Sequence, residues 1–335
     1  MTESIAKIDS KPNELSVNEK VEKILRFSKF NKSASTQKTH FYSLWDFSKF
    51  IAKTNNVKLS LDRNLEISKM MASFCDLNEL NAKLLLADYL ISLGERNQSS
   101  STVATKLAAV KDHIAFQKTF TSVPAWDLDF IKAPKVENKK VPGPTEDEFT
   151  LLLKKFQELE KSTLYMDRRD ALLCYILSFC ALRVSEALSI NIEDIDWQKG
   201  RISVSRKGKK LKQDFNLGKK ILNKIQKFVL EGKRYEGPLF INQDKVNKTF
   251  TGLTRGSAYR IVKKIGESVG MNNLHPHKFR HFSATEAIIA ANGNRHEAMK
   301  FTSHLSEAQI SKYEDERNNQ QLNIATKIEE KWLKN

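Results

Sequence analysis

The sequence predicts a mainly α-helical protein with a small antiparallel β-sheet, arranged as an all-helical first domain followed by an α+β second domain. Three observations carry that expectation. Apolar residues recur at helical spacing along most of the chain. The stretch IKAPKVENKKVPGPTEDEF, with three prolines and several lysines, breaks the pattern after residue 130. Strand-like alternation occurs only beyond that break. At 335 residues, 40% of them hydrophobic, the chain is long enough to bury two cores.

Residues 1–13 are polar and are expected to be disordered. The helical domain, residues 14–130, is read from three segments. In NKSASTQKTHFYSLWDFSKFIAK, Phe41, Leu44, Trp45, Phe47 and Phe50 fall at helical spacing. LNAKLLLADYLISLGE is amphipathic and stops near Gly94. SSSTVATKLAAVKDHIAFQ opens on serines that can cap a helix carrying Leu107, Val110 and Ile114 on one face. Residues 131–144 read as a linker, too polar and too proline-broken to pack.

The second domain, residues 145–335, opens on a capping box formed by Thr145 and Glu148. RRDALLCYILSFCALRVSEALSI reads as one nearly apolar, central helix that carries Arg183 and Glu186. RISVSRKGKKLKQDFNL alternates at Ile202 and Val204, and again at Leu211, Phe215 and Leu217, about a Lys-rich turn with Gly208. That is a hairpin signal, and the strand PLFIN, residues 238–242, is expected to join the same sheet. Pro276 suits the first turn of a further helix, anchored by Phe279, Phe282 and Ile289. No internal repeat is present.

Lys and Arg number 56 against 40 Asp and Glu, a net charge of +16. That balance favours a polyanionic partner, although a solvated lysine surface produces it too. Cys75, Cys174 and Cys180 are too few and too scattered for a disulfide framework or a C-x-x-C metal site. No stretch reaches eighteen consecutive apolar residues, and MTESIAKIDSKPNE lacks the apolar core of a signal peptide. A soluble, cytoplasmic protein is expected, nucleoid-associated if prokaryotic.

The stretch LHPHKFRHFSAT concentrates chemistry. His277, Arg280 and His281 stand at i, i+3 and i+4 and project within about a 100° arc of one helix. Three readings are open. His277 and His281 have the spacing of a zinc-binding helix, but the glutamate of H-E-x-x-H is absent and an arginine between the ligands would repel the cation. A histidine-rich helix start with satisfied side chains is the bland reading. The third is a phosphate site, in which guanidinium and imidazole donors surround two non-bridging oxygens.

A phosphate site needs further cations and a nucleophile, and the sequence supplies both. Arg183 would be costly in an apolar helix unless Glu186 or a bound phosphate satisfied it. Lys207 sits on the hairpin turn. His304 precedes Tyr313 by nine residues, which on one continuous helix would set them on opposite faces. Ser306 with Gln309 forms a capping box that can start a new helix after His304 and turn both side chains towards one centre. The charged neighbours in KYED argue against burial of Tyr313 for packing alone.

Taken in order, these segments resemble the tyrosine recombinases, the phage integrase family. ALRVSEAL resembles the first arginine box, VSRKGKKLKQ the β-hairpin lysine, HPHKFRHFSAT the H-x-x-R box and SHLSEAQISKY the final His-to-Tyr segment. The motifs span Thr145 to Tyr313. The helical domain is similar to the family's core-binding (SAM-like) domain only in size, position and its helix-opening Ser/Thr pattern. Ala181 and Ser303 stand where the family usually has glycine, and because both are small, activity is expected to survive.

The resemblance implies a catalytic set of Arg183, Lys207, His277, Arg280, His304 and the nucleophile Tyr313, in a two-domain, C-shaped clamp on double-stranded DNA. Arg183 and Arg280 would stabilise the pentavalent transition state in place of a metal ion. His277 would take the Tyr313 proton while His304 bonds the phosphate. Lys207 would protonate the departing 5′ oxygen, with Lys209 and Lys210 as rivals on the same turn. No cofactor, ATP or divalent metal is implied.

Integration or excision of a mobile element and dimer resolution are the roles such an enzyme serves. A type IB topoisomerase-like relaxing activity and a non-catalytic DNA-binding protein remain alternatives. A homo-tetramer on two DNA sites is implied through the tail NNQQLNIATKIEEKWLKN, whose stripe Leu322, Ala325, Ile328 and Trp332 would dock on a neighbouring protomer or pack back on its own domain. Base-specific readout is not visible.

Overall fold

The computed structural model describes residues 32–120, 126–136, 142–206, 211–243, 250–303 and 310. The expected disordered tail, the capping box at Ser306 and the C-terminal stripe lie outside these. The chain forms two compact units, one up to residue 138 and one from residue 139.

The first unit contains four described helices, α1 (Ala34–Thr54), α2 (Arg63–Cys75), α3 (Glu79–Glu95) and α4 (Ser100–Phe120). Each starts on a side chain that accepts an otherwise unpaired backbone N–H: Ser33, Asp62, Asn78 and Ser99 respectively. Phe47, Phe74, Leu86, Tyr89 and Val110 are fully buried between the helices, with the Phe47 and Phe74 rings edge to face at 5.1 Å. The helix α2 is not among the elements named above, although Ile67, Met70, Met71 and Phe74 stand at i, i+3, i+4 and i+7.

One ion cluster ties three of these helices together. Asp46 on α1 accepts from Arg96 beyond α3 at 3.0 and 3.2 Å, from Lys106 on α4 at 2.8 Å and from the Tyr89 hydroxyl at 2.9 Å. Burial alone would raise its pKa, but these donors outweigh burial and hold the carboxyl at about 2. Trp126, Leu128 and Ile131 pack on the same core, so the start of the polar stretch is not free of packing at Ile131.

The second unit begins with α5 (Glu146–Glu160), which carries the expected capping box: Thr145 Oγ1 accepts the Glu148 N–H at 3.2 Å, and the Glu148 carboxylate accepts the Thr145 N–H at 2.8 Å. There follow α6 (Tyr165–Phe179), α7 (Val184–Ala187), a 3-10 turn (Ile192–Asp194), β1 (Ile195–Asp196), β2 (Arg201–Val204), β3 (Gln213–Asn216) and α8 (Lys219–Gly232). Next come β4 (Ile241–Gln243), β5 (Phe250–Gly252), α9 (Arg255–Glu267), α10 (Pro276–Ala290) and α11 (Arg295–Thr302). The helix α6 is central, packing against α5, α8 and α10. It also buries Arg169, whose guanidinium is paired with Asp170 and donates to the Ile241 carbonyl at 2.9 Å.

The hairpin forms with Ile202 opposite Phe215 and Val204 opposite Gln213, and β1 adds a third antiparallel strand. Leu211 is outside the strands and 82% exposed, because the alternation resumes only at Gln213. PLFIN does not join this sheet. After α8 the chain buries Leu239 and Phe240 in the core, and Ile241 pairs with Gly252 in a separate two-stranded sheet.

The helix α10 starts at Pro276 as expected. Phe279 and Phe282 are buried, Phe279 edge-on to Phe156 and Phe282 stacked on Phe149 at 3.8 Å. Ile289 is 36% exposed, and Ile288, one position earlier, lies on the buried face instead. Ahead of α5, Gly143 approaches so closely that a Cβ there would meet the Phe282 backbone nitrogen at 2.7 Å. Pro144 is buried beside it, so this end of the polar stretch is also packed. No helix among the described residues is long and apolar enough to cross a membrane.

Candidate functional site

Two left-handed residues shape the site. The helix α6 stops at Phe179, and Ala181, at φ +48°, redirects the chain before Arg183. Arg183 therefore does not lie within the one continuous apolar helix that the run of apolar residues predicts. Arg183 has extended backbone ahead of α7, and its side chain is 39% exposed. Ending the helix lets the guanidinium leave an apolar environment that could not have solvated it.

Glu186, 2% exposed, fixes that guanidinium. Its Oε2 accepts the Arg183 backbone N–H at 2.9 Å and its Oε1 accepts Nη1 at 2.8 Å. One residue therefore engages both carboxylate oxygens, and the carboxylate in turn is the ion partner that burial demands.

Arg280 on α10 is 2% exposed and donates to two backbone carbonyls, those of Ala181 and, at 2.9 Å, Thr302. Thr302 ends α11 and is followed by Ser303 at φ +56°. Arg280 thus joins the two turns in which Ala181 and Ser303 occupy the family's usual glycine positions. What glycine suits there is the left-handed backbone; the smallness of the side chain is secondary.

His277 lies one turn before Arg280 and is exposed. Partial desolvation, then the charges of Arg280, His275 and Arg183, lower its pKa below that of an ordinary histidine. The His281 ring stands edge-on to it at 4.7 Å, and desolvation together with His277 pushes the His281 pKa to about 4. These charges favour the unprotonated ring, the form a general base must have, while weakening it as a proton acceptor. Among the described residues no group of three His, Cys, Asp or Glu side chains is placed to hold a metal ion.

The structure therefore brings together Arg183, His277 and Arg280. Lys207, His304 and Tyr313 lie outside the described residues, as do Lys209 and Lys210. Arg206 was not singled out from sequence. It is part-buried, its Nε–H is buried without an acceptor, and burial lowers its pKa while Glu186 raises it and Arg183 lowers it. In sequence it is one cation in a Lys-rich turn, which gives no sign of burial.

Residues 145–320 match the phage integrase family. The chain is 25% identical over 321 residues to a tyrosine recombinase of Synechocystis sp. PCC 6803, covering 93% of this chain and 96% of that one. It is 29% identical over 208 residues to the tyrosine recombinase XerD of Bifidobacterium longum, covering 60% and 67%. The fold is similar to that of the XerH site-specific recombinase in a post-cleavage complex with its palindromic difH substrate, with a TM-score of 0.63 at 20% identity over 93% of this chain and 95% of that one. It is similar also to that of a lambda integrase dimer bound to a COC′ core site, with a TM-score of 0.63 at 12% identity over 91% and 97%. Because the matched region takes in more than half of the residues and holds the arginine and histidine boxes in order, the chain belongs to the phage integrase family, the tyrosine recombinases, enzymes that break and rejoin DNA.

Proposed function

We propose that this chain is a site-specific recombinase that cleaves and rejoins duplex DNA through a 3′-phosphotyrosyl intermediate on Tyr313. The observation that supports it best is the meeting of Arg183, Arg280 and a neutral His277 in one place. Binding of double-stranded DNA is supported by the net charge of +16 and by the DNA complexes of XerH and lambda integrase.

In the proposed step the Tyr313 hydroxyl gives its proton to His277 and its oxygen attacks phosphorus. The bond to the 5′ oxygen breaks, and that oxygen takes a proton from Lys207. Arg183 and Arg280, with His304, stabilise the charge that builds on the non-bridging oxygens. A second 5′ hydroxyl reverses the step on a new strand, so no outside energy is needed. Two such exchanges, by a tetramer holding two sites, would integrate or excise a mobile element or resolve a dimer.

The test is Tyr313→Phe, which removes one hydroxyl and no cation. A nicked duplex, selected from a random pool by binding to the full chain, should form a covalent adduct with the wild type on denaturing gels. The variant should bind the same duplex and form none. An undiminished adduct in the variant would place the nucleophile elsewhere.

A further inference from the structure

We infer that Arg206 is a third guanidinium that contacts a DNA phosphate at this site, beside the contacts of Arg183 and Arg280; the inference rests on the recombinase reading above. Arg206 lies two residues beyond the end of β2, on the rim from which the hairpin turn departs. Its described neighbours do not complete it. Glu186 is the carboxylate that acts on its charge, yet among the described residues no hydrogen bond or ion pair joins the two, and both Glu186 oxygens face Arg183, at 2.9 and 2.8 Å. The Arg206 Nε–H is buried and meets no acceptor among the described residues. A buried donor left unpaired is unfavourable, and the imbalance is larger for a charged group.

Charge points the same way. Arg206 feels the charges of Glu186 and Arg183, Arg183 and Arg280 both act on His277, and Glu186 is the carboxylate named among these groups. The surplus of positive charge fits an anion with several oxygens spaced for forked donors, which a nucleic-acid phosphate supplies. Among the described residues, Arg206 is thus the cation of this site whose hydrogen bonding is left for a ligand to finish. The Nε of Arg168 is likewise buried without a hydrogen-bond acceptor, but it faces the Glu231 carboxylate at 3.3 Å, whereas Arg206 has no such ion pair among the described residues.

Two measurements on the full chain test this. The first is binding to a random-sequence duplex over a series of salt concentrations. Arg206→Gln should lower affinity about tenfold near 0.1 M salt and reduce the slope of log K against log salt by about 0.9, the share of one phosphate contact. Arg206→Lys should retain most of the slope. The second is thermal unfolding without DNA, in which Arg206→Gln should leave the midpoint unchanged or raise it, since it removes an unpaired donor. An unchanged slope and affinity in Arg206→Gln, with normal wild-type binding, overturns the inference alone, as does a lowered midpoint that Arg206→Lys restores without restoring the slope. Failure of the wild type to bind the duplex overturns the recombinase reading as well.

Discussion

The carbonyl of Ala181, a residue held at φ +48°, accepts a hydrogen bond from the buried guanidinium of Arg280 on α10. Arg280 is therefore oriented by a backbone turn whose conformation disfavours L-residues by about 1–2 kcal/mol. Ser303, at φ +56°, bears the same cost next to the second acceptor, Thr302. Ala181→Gly and Ser303→Gly should each stabilise the chain by up to about 1 kcal/mol, part of the gain being offset by the freedom glycine adds to the unfolded state. Urea unfolding checks this. Ala181→Val, which puts a β-branched residue at positive φ, should destabilise and lower adduct yield through Arg280.

Acid should loosen the first unit in two steps. His113 on α4 is 5% exposed; desolvation, opposed by Asp112 and helped to a lesser degree by Lys32 and His40, holds its pKa at about 4. A histidine that binds its proton less tightly when folded stabilises the fold while neutral. That contribution is complete above pH 6.5 and is lost as the pH falls towards 4, on the order of 3 kcal/mol. For Asp46 the carboxyl is held at about 2, so its contribution is complete above pH 3.8 and is lost between there and 2. His113→Gln should flatten the upper window of a urea-midpoint series, and Asp46→Asn the lower one. A midpoint that does not change between pH 6.5 and 4 would contradict the histidine assignment.

If Lys207 protonates the leaving oxygen, its loss should matter only where a proton is needed. Lys207→Ala should slow cleavage of ordinary DNA about 10²- to 10⁴-fold. A sulfur at the bridging 5′ position leaves as a thiolate, whose parent thiol titrates near 8.5, and should largely restore the rate. Arg183→Ala should stay poor on both substrates if, as proposed, its partners are the non-bridging oxygens. Rescue of Lys209→Ala or Lys210→Ala instead would move the acid along the same turn.

The tail beyond Asp315 should act between protomers. Truncation there should spare single-site cleavage and impair recombination between two sites, because an apolar stripe of Leu322, Ile328 and Trp332 needs a cover that a neighbour can provide. Equal loss of both activities would mean that the tail packs on its own unit.

Local chemistry made much of this protein legible from its residues. Apolar spacing marked α1, α3, α4 and α6, side-chain caps marked the starts of α4 and α5, and His277 and Arg280 declared themselves because three residues is nearly one helical turn. What needed the tertiary structure was every property set by distant partners. Residue type alone cannot report φ, so the end of α6 at Phe179 and the true placement of Arg183 were hidden in a run of apolar letters. PLFIN has strand composition in either sheet, and only its burial after α8 decides its partner. The burial of Arg169, the two carbonyls that hold Arg280 and the unpaired Nε of Arg206 each depend on residues far away in the chain or on backbone geometry, because a charge's cost is set by what surrounds it in space.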